Sequence, residues 1–325
     1  MVFEDSDKIY VDILESARDM KENAIVALFG DSSTHAAEQA TSTLVFNSTS
    51  WPCTDVVAVP GMSQGLGAQQ VHKQDQATLM VTASVPSSGM QIVSPVNDAN
   101  VVPVSAYCNS NGHFVLENLY VMAKFNASSH LASFCELIPK GWAGNMMCLH
   151  DVLIFWDAWD IKINHLHKFS MMDASSITII NEGPLLSSIA IEIPVGKSSK
   201  MKHYVSLSAV SSHLDFDCNV NWHESHKCLK TAFTWDICSK FATYKTQYSV
   251  VQRPTHHNTT WDMAKFRVCA HKFGDLSEFG YGIALLNDSK YGYVMLDSTM
   301  TIILLRSPKL PNANCDMGHQ SFCYT

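Results

Sequence analysis

Apolar and charged residues interleave at helical spacing over the first thirty positions. Ile9, Tyr10, Ile13, Leu14, Ala17, Met20, Ala24, Ile25 and Leu28 recur three and four residues apart, with Glu, Asp and Lys between them. This predicts one amphipathic helix over residues 1–29, stopped by Gly30-Asp31-Ser32-Ser33. A single helix cannot bury its own stripe, and the sequence after it offers few helices to cover it. From about residue 42 the period falls to two. Thr43–Asn47 and Thr54–Pro60 flank a Trp51-Pro52 turn, Gly61–Ala68 reads as a loop, and strands are expected at Ala77–Ala83, Gln91–Val96 and Val101–Tyr107.

Asn109–Gly112 is a turn signal and marks a predicted domain boundary. Beyond it the chain is almost wholly strand-like. Expected strands are Phe114–Asn118, Leu119–Phe125, Ile177–Ile180, Ser187–Ile193, His203–Val210, Leu214–Val220, Cys228–Phe233, Thr243–Val251, Ala264–Ala270, Tyr281–Leu286 and Met300–Leu305. Many alternate polar and apolar positions, as strands with one wet face do. The fold class is therefore mainly β, a large two-sheet sandwich. The division is a helix over 1–30, a small β-domain over 31–110 and the sandwich over 111–325. No repeat of about 20–50 residues appears, which excludes a propeller.

Composition supports a packed protein: 325 residues, 46% hydrophobic and only 16% charged, suffice for a sizeable core. Net charge is −8 with no basic block, which argues against a nucleic-acid partner and against an electrostatic membrane footprint. The acidic start Met1-Val2-Phe3-Glu4-Asp5 is not a secretory signal, and no run of about 18 apolar residues predicts a membrane-spanning helix. Ten cysteines without a CxxC pair read as free thiols, hence a cytoplasmic location. On that reading the sequons at Asn47, Asn126, Asn258 and Asn287 carry no glycan.

The densest chemistry lies in Gln252-Arg253-Pro254-Thr255-His256-His257-Asn258-Thr259-Thr260-Trp261-Asp262. Arg253, His256, Asn258 and Asp262 could bracket vicinal hydroxyls, and Trp261 could lie against the C–H face of a sugar ring. The same stretch also reads as a polar loop satisfied by its own Asn and Thr turn bonds. Trp156, Asp157, Trp159 and Asp160 form a second aromatic and acidic cluster, open to the same two readings, sugar-facing loop or core tryptophans beside solvated carboxylates. His223-Glu224-Ser225-His226 imitates a zincin helix, but its histidines are three apart on a strand-like segment and point to opposite faces. No nucleophile elbow, P-loop or dinucleotide fingerprint appears.

Taken in order, these motifs resemble the C-terminal half of the cytosolic-type α-mannosidases, glycoside hydrolase family 38. The likeness is carried by Phe155–Asp160, Asn219–Glu224, Arg253–Asp262, Asp275–Glu278, Leu285–Gly292 and Asp316–His319 with Phe322, together with Leu44–Asn47, Trp51 and the leading helix. It covers essentially the whole chain. The resemblance implies a sandwich like that of galactose mutarotase, truncated here at its C-terminal end, and, upstream, a barrel-like catalytic domain. It implies zinc, a retaining mechanism with an aspartate nucleophile, and free high-mannose oligosaccharides as substrate. The family's metal ligands and nucleophile belong before the leading helix. His150-Asp151 imitates the last ligand motif, but Ile154-Phe155 stand where Pro-Gly is required. No catalytic residue and no metal ligand is therefore assigned, and no cofactor is expected of this chain itself. Cys228, Lys245, Met263, Arg267 and Phe273 also depart from the family pattern. Expected partners are a mannose-containing oligosaccharide, a separate catalytic domain or further copies of the chain. The rival readings are an inactive carbohydrate-binding or interaction module and a non-functional remnant.

Overall fold

The computed structural model describes residues 2–29, 43–59, 67–73, 76–93, 101–136, 144–150, 157–159, 161 and 168–325. The chain forms two compact units, Met1–Thr41 with Gly61–Ser63, and Ser42–Pro60 with Gln64–Thr325. The described part of the first is a single α-helix, Val2–Phe29. Its stripe is as the periodicity predicts, and Ile9, Tyr10, Ile13, Leu14, Met20 and Leu28 are all exposed. The predicted stop at Gly30–Ser33 and most of the predicted loop at Gly61–Ala68 lie outside the described residues.

The second unit is antiparallel β throughout. Residues 43–93 supply a two-stranded sheet, Thr43–Phe46 with Met90–Val93, and a three-stranded one in the order Cys53–Ala58, Gln76–Val85, Gln69–Lys73. A five-stranded sheet runs Ser176–Asn181, Leu186–Val195, Ser199–Ser208, Leu214–Trp222, Gly318–Tyr324. A ten-stranded sheet starts at Ser105–Cys108, and its centre places Lys227–Thr234 between Gly144–His150 and Thr299–Arg306. A four-stranded sheet runs Ser249–Pro254, Phe241–Thr246, Phe273–Glu278, Tyr281–Leu286.

Alternation accounts for the five-stranded sheet. Along Leu214–Trp222 the odd-numbered Asp215, Asp217, Asn219 and Asn221 face outward, while Leu214, Phe216, Cys218, Val220 and Trp222 are buried. The buried faces of the five-stranded, ten-stranded and four-stranded sheets feed one hydrophobic cluster, in which Trp222, Tyr244, Tyr293 and Tyr324 are fully enclosed. Each fully buried Leu, Ile or Phe contributes about 1.5–3 kcal/mol. Cys228 to Phe233 are buried without interruption, so this strand is covered on both faces, which is why its sequence does not alternate. Buried amides tie segments that no ladder joins: Asn118 donates to Ser208 O (2.6 Å) and Ser211 O (2.7 Å) and accepts from the amides of Tyr120 and Val121.

Two local expectations change. Thr243–Val251 is a hairpin rather than one strand, turning through Tyr248 at φ 57°. Ala264–Ala270 is the end of a short helix, Thr260–Ala264, followed by the two-residue strand Val268–Cys269. Among the described residues no helix is long and apolar enough to cross a membrane.

Candidate functional site

The Arg253–Asp262 stretch leaves the strand Ser249–Pro254 and enters the helix Thr260–Ala264. Arg253 sits over the Tyr244 ring, 4.8 Å from guanidinium carbon to centroid, and donates to Cys269 O at 3.2 Å. Burial pushes the Tyr244 phenol up to about 12, with Arg253 pulling the other way. Thr255 is buried, and its hydroxyl donates to Ser239 O at 2.6 Å. The next turn is held by a reciprocal cap. Asp262 N–H donates to Thr259 Oγ1 (3.1 Å), and Asp262 Oδ2 accepts from the Thr259 hydroxyl (2.7 Å) and amide (3.2 Å).

His256 Nδ1 lies 3.6 Å from the same carboxylate oxygen, and Asn258 N–H donates to that nitrogen at 3.4 Å. The Thr259 hydroxyl bond is the largest influence on Asp262. Together with the Thr259 amide, His256 and Lys265 it overrides desolvation, the next largest influence, and holds the carboxyl below its ordinary value. The polar groups of the stretch thus largely bond one another, as the turn-bond reading expects. Trp261 remains 77% exposed on top of the capped turn. Between Tyr244, Arg253, Asp262 and Lys265 there is only about 20 Å³ of space, too little for a sugar ring, so a ligand would have to lie on Trp261 and not under it.

The second cluster divides. Trp156 and Asp160 lie outside the described residues. Trp159 is 70% exposed, whereas Asp157 is buried at 3%. The Asp157 carboxylate accepts the amides of Lys309 and Leu310, both at 2.7 Å, and lies 3.2 Å from His226 Nδ1. Burial opposes ionisation there, but those two amides, with His226 and Arg306, outweigh it and hold the carboxyl below its ordinary value. Asp157 therefore anchors its loop to the segment after Thr299–Arg306, with both oxygens occupied.

The zincin-like run comes apart in the same way. Glu224 is buried and accepts the amides of Lys197 (2.9 Å) and Ser198 (2.7 Å), while His223 Nε2 contacts Asn221 Oδ1 at 2.8 Å. His203 is buried beside Tyr324, whose hydroxyl is 3.1 Å from its Nε2, and burial pushes its imidazole down to about 3. Among the described residues no three His, Cys, Asp or Glu side chains gather as a metal-ligand set. The two-residue spacing of Asp215, Asp217, Asn219 and Asn221 marks the wet face of the five-stranded sheet in the sequence itself.

Residues 116–314 match the glycosyl hydrolases family 38 C-terminal domain. The chain belongs to glycosyl hydrolase family 38. Within the family it is 34% identical over 294 residues to human alpha-mannosidase 2C1, covering 86% of this chain and 27% of that protein. It is 31% identical over 308 residues to alpha-mannosidase G of Dictyostelium discoideum, covering 87% of this chain and 28% of the relative. The chain thus spans little more than a quarter of these two family 38 relatives. An α-mannosidase structure from Enterococcus faecalis V583 superposes with a TM-score of 0.67 at 14% identity, over 97% of this chain and 47% of the other, a likeness of fold. Mainly β architecture in packed sheets is thus the family 38 C-terminal fold.

Proposed function

We propose that this chain is the non-catalytic β-portion of an α-mannosidase acting in the cytoplasm on free high-mannose oligosaccharides. In this reading it supports a catalytic region and presents Trp261 to the sugar. The observation that carries the reading is the family 38 C-terminal match over residues 116–314, with α-mannosidases as the curated relatives. The site geometry supports a positioning role. A 77% exposed indole stands on a turn fixed by the Thr259–Asp262 cap, so the backbone that carries it is set before a ligand arrives. Arg253 braces that turn from below through Tyr244 and Cys269 O, and Asn258 is placed beside it by His256.

The test is a chimera of human alpha-mannosidase 2C1 in which this chain replaces the matching region. It should hydrolyse an aryl α-mannoside, and Trp261→Ala in it should raise KM while the denaturation midpoint stays put. The isolated chain, supplied with zinc, should release no product. Turnover by the isolated chain, or an unchanged KM in the Trp261→Ala chimera, would overturn the reading.

A further inference from the structure

The outward face of the five-stranded sheet carries polar side chains in ordered rows. Ser176, Glu192, Lys202, Asn219 and Ser321 are successive cross-strand partners through all five strands. Two residues along, Pro194, Lys200, Asn221 and His319 form the next row. Between the rows Ile193, Met201 and Val220 point inward to the core, so both polar rows share the wet face. With strands about 4.8 Å apart, Glu192, Lys202 and Asn219 place an acceptor, a donor and an amide along roughly 10 Å.

These rows line two adjoining depressions. One of about 470 Å³ includes Lys200, Asn219, Asn221 and His319, the other of about 350 Å³ includes His72, Thr178 and Tyr204, and both include Glu192 and Lys202. Each volume lies in the range of small-molecule sites. The second depression has a wall from another sheet: His72 belongs to Gln69–Lys73 of the three-stranded sheet. Two buried amides fix that wall. Asn181 accepts from His72 N (2.9 Å) and donates to His72 O (3.0 Å), while Gln69 accepts from the amides of Leu185 (2.7 Å) and Leu186 (2.8 Å). Beneath the row the Tyr204 ring packs against Lys202, whose Nζ is 5.4 Å from its centroid.

We propose that this face is a second carbohydrate-binding surface, sharing no residue with the Trp261 turn, which takes a neutral oligosaccharide laid across the strands. A pyranose hydroxyl both donates and accepts. A line of carboxylate, ammonium and amide at strand spacing therefore matches successive hydroxyls, whereas Glu192, directly beside the central Lys202, opposes a phosphate or carboxylate laid along the row. The choice of mannose as the sugar rests on the proposed function; the groove and its polarity do not.

The experiment is calorimetric titration of the full chain with an α-linked mannopentaose and, in a separate arm, with inorganic phosphate. Glu192 and Asn221 are exposed, so the paired substitution Glu192→Ala with Asn221→Ala should leave folding intact, and Lys200→Gln serves as a second variant. Binding of the mannopentaose should weaken about tenfold or more in the paired variant, as expected for two lost hydrogen bonds, and be unchanged by Trp261→Ala. No saturable heat with millimolar mannopentaose, equal affinity in the Glu192 and Asn221 variant and in Lys200→Gln, or saturable binding of phosphate would overturn the proposal. None of these outcomes depends on turnover by the chimera, so the two readings fail separately.

Discussion

Asp157→Ala separates an anchoring carboxylate from a sugar ligand. Two backbone amides, Lys309 and Leu310, each donate to this side chain at 2.7 Å in a place that is 97% shielded from solvent, since Asp157 is 3% exposed. Hydrogen bonds to a charged group contribute about 1.5–3 kcal/mol each, and removing the acceptor leaves two amides without it. We expect Asp157→Ala to cost about 3–5 kcal/mol and Asp157→Asn, which keeps one acceptor oxygen, about 1–3 kcal/mol. Urea unfolding followed by tryptophan fluorescence reads both. The folded carboxyl lies below its ordinary value. Its ionised form therefore stabilises the fold at every pH above the usual carboxylate range, and that contribution is lost as pH falls through the lowered folded value. The gap between wild type and Asp157→Ala should be constant near neutrality and close below about pH 4. A loss under about 0.5 kcal/mol at pH 7, the size of an ordinary surface change, would refute the anchoring role.

Two further outcomes follow from the packing. His203 stays neutral when folded down to about pH 3 but takes a proton near 6.5 when unfolded, so stability should fall as pH drops through that window, by up to about 1.4 kcal/mol per pH unit. His203→Leu should flatten this slope in urea titrations, and an unchanged slope would exclude His203 as its source. Gly196 has φ 62°, and a Cβ there would collide with the Glu224 carboxyl group, whereas Gly112 at φ 75° has nothing within 4 Å of such a Cβ. Gly112→Ala should cost about 1–2 kcal/mol from the left-handed backbone alone. Gly196→Ala should cost more, about 2–4 kcal/mol, because Glu224 must also release the Lys197 and Ser198 amides; equal losses would show that Glu224 yields freely.

Where one face of a strand is wet, the sequence spells the strand out, as in Leu214–Trp222. Where both faces are covered, as in Lys227–Thr234, the alternation is lost, and Lys230 and Thr231 are buried beside Leu229 and Phe233. Gly318–Tyr324 is harder to see, because its only fully buried side chains are Phe322 and Tyr324 and its place is set by pairing with Leu214–Trp222. The helix Thr260–Ala264 is too short for any period to register, although Thr259 and Asp262 carry its capping signature three residues apart. Trp261 is legible as an exposed aromatic candidate, but Asp157 is not legible as an anchor, since the amides that occupy it come from Lys309 and Leu310, far along the chain. Buried carboxylates are defined by such distant partners, and composition around them carries no trace of the pairing.

The position of Lys227–Thr234 between Gly144–His150 and Thr299–Arg306 also sets an order of events during synthesis. One flank of this strand can pair early, but the other must wait until Arg306 has left the ribosome, and the neighbouring sheet is closed only by Gly318–Tyr324. At about 5–20 residues per second, this strand, buried on both faces in the finished fold, spends on the order of several seconds with one edge unpaired. Nascent chains should therefore engage holdase chaperones mainly through this segment, and slowing elongation between Thr234 and Thr299 should lower the yield of folded protein more than slowing it anywhere before His150.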